Sequence, residues 1–204
     1  MILTLVFFGG TFGVGFALTL FLQFGLGFTA IHAGLTAAPY ALGSSLGALS
    51  GAGLLAPRLG RNTLQLGNAL QAVGLTATLL VLARTGMHVT TWNLAAPLLL
   101  WGLGMGLVIA PLFDFVLSSL AEDEAGSGSG MLNALQQLGC AIGVAAIGTV
   151  YFATPRHIGG FEHSLHVGLG ITAAVFLLTF LLPRHVRETP DPSQDQREPA
   201  AIHA

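Results

Sequence analysis

From Met1 to Pro57 the chain contains no Asp, Glu, Lys or Arg, an uncharged run of 57 residues. No ordinary water-facing surface can be built from such a stretch. Soluble domains carry roughly a quarter charged residues, whereas this chain of 204 residues carries 8%, with 53% hydrophobic. Lipid is therefore the expected solvent. In hydrocarbon a backbone N–H or C=O has no water to bond, so each segment must satisfy its own peptide groups. Runs of about 20 apolar residues are then read as helices that cross the bilayer.

Six such runs are present, at approximately 3–25, 33–55, 64–82, 93–117, 130–152 and 164–182. Their separators carry turn chemistry or charge: GFTAIH, APRLGRN, ARTGMHVT, AEDEAGSGS and ATPRHIGGFEH. The expected fold class is an all-α membrane protein with a six-helix transmembrane domain over residues 1–183. A polar, proline-rich segment, 184–204, is expected to be a disordered cytoplasmic tail.

An even number of crossings puts both ends on one side. Arg58, Arg61, Arg184, Arg187 and Arg197 share that side, and Arg84 and Arg156 face the other. Positive charge favours the cytoplasm, so the expected location is the plasma (inner) membrane with both termini inside. Trp92, at the start of the fourth run, suits an interfacial anchor.

A net charge of −2 argues against nucleic acid as a partner. A single cysteine, Cys140, excludes an internal disulfide framework. The apolar start at Met1 lacks a positive n-region, so a cleaved signal peptide is not expected, and the chain reads as beginning within something larger. Gly43, Gly47 and Gly51 fall four apart on the second run, as do Gly102 and Gly106 on the fourth and Gly139 and Gly143 on the fifth. Such ridges let helices in lipid approach backbone to backbone, which predicts a packed bundle without saying what it does.

GLLAPRLGRN, between the second and third runs, resembles the signature loop of the major facilitator superfamily, roughly G-x-L-A-D-R-x-G-R-K. Gly53, Leu55, Ala56, Arg58, Gly60 and Arg61 carry the match, while Pro57 stands in place of the acid and Asn62 in place of a base. LTLFLQFGLGFTAIHAGLTAAPYAL, PLFDFVL and AGSGSGMLNALQQLGCAIGVAAIGTV resemble successive segments of the C-terminal half of EmrB/QacA-type drug:proton antiporters. Gln136 occupies a position where that group commonly has Arg. The resemblance covers about Thr4 to Phe152. It implies one half of the fold, two inverted three-helix repeats, with substrate held between two halves near the midplane. It also implies proton-coupled efflux of drug-like or amphipathic molecules. Implied partners are a small-molecule substrate, protons, the lipid bilayer and a missing N-terminal half. No cofactor, metal or enzymatic activity is implied. A truncated or accessory membrane protein without transport, and an importer of a small metabolite, are the alternatives.

Asp114 is the single acid well inside a run, and a carboxylate at such depth is a candidate for proton coupling; pairing with Arg58 or Arg61 is the competing role. Ser129, Asn133, Gln136, Gln137 and Cys140 recur at helical spacing on the fifth run. Asn133, Gln136, Gln137 and, from the first run, Gln23 are candidates for lining a substrate cavity, or for bonding neighbouring helices. Gly53, Arg58, Gly60 and Arg61 form the candidate cytoplasmic loop. Pro97 and Pro111 flank Gly102, Gly104 and Gly106, a composition suited to bending. Two further patterns are set aside. Gly43-Ser44-Ser45-Leu46-Gly47 matches a hydrolase nucleophile elbow but lies in a helical run. His157, His163 and His166 beside Glu162 are expected to be solvated rather than metal ligands.

Overall fold

Charge-free segments become helices in the computed structural model, which describes residues 2–55, 61–117 and 125–180. Helix α1 spans Ile2–Leu20 and widens into a π-helical turn, Phe21–Gly25; α2 spans Ala30–Ser50 and likewise ends in a π-helical turn, Gly51–Leu55. The others are α3 (Arg61–Thr85), α4 (Thr91–Leu117), α5 (Ala125–Phe152) and α6 (His157–Phe180). Arg58, Gly60 and the segment 184–204 lie outside the described residues.

The breaks follow from local chemistry. Gly27 adopts φ +68° after the π turn of α1, a left-handed conformation that glycine takes without a Cβ penalty. Two residues later Thr29 caps α2, its side chain accepting from the His32 N–H at 3.3 Å. Gly86, with φ +57°, stops α3 in the same way. Within the helices, hydroxyls turn back on their own backbone. Thr78, Thr172 and Ser164 each donate to the carbonyl four residues earlier, at 2.8 to 2.9 Å. A polar group is thereby satisfied without leaving the apolar phase.

Among the described residues, five helices are long and apolar enough to cross a membrane: Ile2–Gly25, Asn62–His88, Thr91–Phe113, Gly126–Phe152 and His157–Thr179. The sixth helix, α2, is long enough, but Pro39, Tyr40, Ser44, Ser45 and its glycines dilute its hydropathy. Those small residues are where it packs most closely.

The packing pattern relates the two halves of the bundle. Among the described residues, α2 packs chiefly on α4 and α1 chiefly on α5. Next come α3 with α4 and α1 with α6, and α3 also meets α6. Exchanging helices 1, 2 and 3 for 4, 5 and 6 maps each of these pairs onto another in the set, or onto itself. A two-fold relation between three-helix repeats accounts for this pattern.

The glycines obey the same exchange. On α2, Gly43 and Gly47 face α4 where a Cβ would strike the carbonyls of Leu99 and Leu103, and Gly102 and Gly106 of α4 press on Tyr40 and Ser44. On α5, Gly139 and Gly143 face Leu5 and Gly9 of α1, and Gly9 would bring a Cβ to 3.0 Å from the Gly139 carbonyl. Each ridge seen in the sequence therefore lies at a helix crossing, and its α1 partner includes Gly9 and Gly13. The helices at the centre are α1 and α4, whose most apolar stretches are 67% and 65% buried; the corresponding figures for α3, α5 and α6 are 39%, 28% and 33%.

Candidate functional site

The α5 stripe divides into two rows. Asn133 and Gln137 are exposed, whereas Gln136 and Cys140 are half-buried on the side that turns toward the bundle. Cys140 packs beside a core cluster of Phe7, Phe8, Met105 and Val108. Ser129 is exposed, its hydroxyl donating to the Gly126 carbonyl at 2.8 Å. The uncovered row of α5 continues through Ala141 and Ala145. On α2, the helix related to α5 by the exchange of repeats, Leu35, Leu42, Leu46 and Leu49 are similarly uncovered.

Gln23 does not join this face. It is half-buried in the π turn at the far end of α1. Because α1 and α5 run side by side with Leu5 on Gly139 and Gly9 on Gly143, Gln137 is level with the first residues of α1. Gln23 is about 20 residues further along, roughly 30 Å at the helical rise.

Asp114 lies in the last turn of α4, where the backbone is described. Trp101 packs on Gly74 and Val108 on Gly67 in antiparallel register, which carried on brings position 114 level with position 61, at the start of α3. Of the signature-loop residues, Gly53 is exposed with open space around it and Arg61 opens α3.

At the opposite end, His32, Thr91 and Thr36 close a ring between α2 and α4. The His32 Nε2–H donates to Thr91 Oγ1 at 3.0 Å and the Thr91 hydroxyl to Thr36 Oγ1 at 2.8 Å. Thr36 in turn donates to the His32 carbonyl at 2.9 Å. This assignment uses each proton once. Phe28 stacks on the His32 ring, with centroids 3.9 Å apart.

Both patterns set aside in the sequence have local explanations. Ser44 and Ser45 sit on α2, and their hydroxyls donate to the Ala41 carbonyl at 2.9 and 3.0 Å. The ring N–H groups of His163 and His166 donate to the Gly159 and Glu162 carbonyls at 2.7 Å, and His157 pairs with the Tyr151 hydroxyl at 3.1 Å. Among the described residues no three His, Cys, Asp or Glu gather as a metal site.

Sequence reasoning missed the amides of α3. Asn68 and Gln71 are only 1% and 2% exposed and line a small mid-bundle cavity with Trp101. The signal was available, since Gln65, Asn68 and Gln71 recur every three residues in an apolar run.

Helices arranged this way define a multi-pass α-helical membrane protein, with two glycine-packed, exchange-related helix pairs about a buried central pair. The family profile of the Major Facilitator Superfamily matches residues 1–144, and the chain belongs to that superfamily. It is similar to the "Probable actinorhodin transporter" of Streptomyces coelicolor, 40% identical over 148 residues, which cover 72% of this chain and 26% of that protein. It is 31% identical over 185 residues to "Puromycin resistance protein pur8" of Streptomyces alboniger, covering 85% of this chain and 37% of the relative. A third relative is "Cephamycin export protein CmcT" of Amycolatopsis lactamdurans, 31% identical over 187 residues, with 87% and 37% covered. The chain spans about a quarter to a little over a third of the length of these curated relatives.

Proposed function

We propose that this chain acts as a six-helix half of a proton-coupled exporter of drug-like or amphipathic small molecules, resembling the C-terminal half of EmrB/QacA-type antiporters. The observation that carries the reading is the contrast between buried α1 and α4 and the uncovered faces of α2 and α5. On α5 that face bears Asn133 and Gln137, neutral hydrogen-bonding groups suited to a water-filled cavity between two halves. The relatives' names, a transporter, a resistance protein and an export protein, support an efflux direction.

Activity on this reading needs a complementary helical half, because six helices supply one wall of the cavity. Asp114 is the proposed proton site, at the cytoplasmic end of α4. Both termini are proposed to be cytoplasmic, since five arginines fall on that side and two on the other. Substrate is moved without a covalent step.

The decisive experiment reconstitutes the chain together with an N-terminal half from a similar protein in vesicles carrying an imposed proton gradient. Accumulation of a fluorescent amphipathic dye that collapses with a protonophore is expected. No gradient-dependent flux from the paired halves, with both inserted, would reject the exporter reading.

A further inference from the structure

Asn68, Gln71 and Trp101 share a feature that the transport reading does not use. All three are buried, at 1%, 2% and 2% exposure. Each has an atom with no partner among the described residues: Asn68 Oδ1, Gln71 Nε2 and Trp101 Nε1. Asn68 Nδ2 donates to the Leu64 carbonyl at 3.0 Å, which leaves Oδ1 as its free end. All three residues line one cavity between α1, α3, α4 and α6. An unbonded polar group in such surroundings loses its hydration without compensation, so three around one space call for a common partner.

Size and chemistry limit what that partner is. The cavity has about 10 Å³ open to the centre of a water molecule, close to the roughly 10–15 Å³ that one water needs. Among the described residues no ionisable side chain lines it. A cation would face two N–H donors, and an anion would find no positive charge to balance it. Water matches the set, since it accepts twice and donates twice, and buried waters typically make about three hydrogen bonds.

We propose that this cavity is a water-binding site. One molecule accepts from the Gln71 Nε2–H and the Trp101 Nε1–H and donates to Asn68 Oδ1, tying α3 to α4. The four helices lining the site form a set closed under the exchange of repeats, so the water lies where the repeats meet. It joins Trp101, four residues after Pro97 on α4, to α3.

Two tryptophans make the test clean, because Trp92 is 85% exposed and is not among the residues that line the cavity. In the full protein carrying Trp92→Phe, Trp101 is the remaining indole of this chain. Ultraviolet resonance Raman spectroscopy, with any tryptophan elsewhere also replaced, reads hydrogen bonding at its N–H. The expected result is a bonded indole that stays bonded when Gln71→Leu or Asn68→Leu is added singly, since the water keeps two partners. A free indole in the Trp92→Phe protein overturns the proposal. So does loss of the bond on either single replacement, which would reveal a direct contact with that amide. Gln71→Met and Asn68→Met serve the same purpose should either leucine variant fail to fold.

Discussion

Gly9 and Gly143 stand backbone against backbone where α1 crosses α5, so closely that a methyl group on Gly143 would overlap the Gly9 carbonyl. The pair shows how this bundle is held in lipid. No hydrophobic force separates helices from lipid tails there, so close dispersion contact does the work, and only glycine allows it. Gly143→Ala is expected to destabilise by about 1–3 kcal/mol, the usual cost of overpacking. The thermal midpoint in detergent should fall by several degrees. Gly15→Ala, where a Cβ meets nothing within 4 Å, should leave the midpoint unchanged or raise it. Equal losses in both variants would deny the crossing its role.

Asn133 and Gln137 should be open to water in the working transporter. In a Cys140→Ala background, cysteines at either position are expected to react with membrane-impermeant thiol reagents and to be protected by a transported dye. Cysteines that stay inert from both sides of the membrane would reassign the row to helix contacts.

Asp114→Asn keeps the shape of the side chain and removes its charge. Gradient-driven dye transport is expected to fall to the level of empty vesicles, while substrate binding persists. Wild-type transport in this variant would remove Asp114 from the proton pathway.

Thr91→Val takes out the hydroxyl shared by His32 and Thr36, two contacts of 3.0 and 2.8 Å. A loss of about 1 kcal/mol is expected for a partly exposed hydrogen bond, measured as a lower unfolding midpoint. Thr36 keeps its bond to the His32 carbonyl, so a much larger loss would point to a tighter outer joint between α2 and α4.

Arg58→Ala combined with Arg61→Ala tests what the signature loop does. If the charges anchor the loop on the cytoplasmic side, topology reporters at the C-terminus should show a mixed orientation. Uniform insertion with abolished transport would give the loop a gating role instead.

Much of the fold was legible because the solvent dictates it. Once lipid is the medium, an uncharged run of 57 residues must be helical and must break where Gly27 and Thr29 allow. Helix ends were less legible. The α6 helix begins at His157, seven residues before the expected 164, because hydropathy marks the apolar span and not the polar turns that extend it. The glycine ridges were visible on α2, α4 and α5, but nothing in a single ridge names its partner, so Gly9 and Gly13 went unnoticed. Nor could the sequence show how packing splits the polar stripe of α5, with Gln136 half-buried and Asn133 and Gln137 exposed. Gln23 shares their chemistry but not their depth, a distinction that needs the register between α1 and α5.

The exchange of helices between repeats has a consequence for biosynthesis. Among the described residues, α1 and α2 find their main partners in α5 and α4, not in each other. A ribosome that has released only the first three helices leaves both glycine faces bare to lipid. The α2 face is covered when α4 enters the bilayer and the α1 face only when α5 does, so the bundle closes late. Nascent chains halted after α3 should therefore be the ones that quality-control proteases recognise, and chains halted after α5 should escape them.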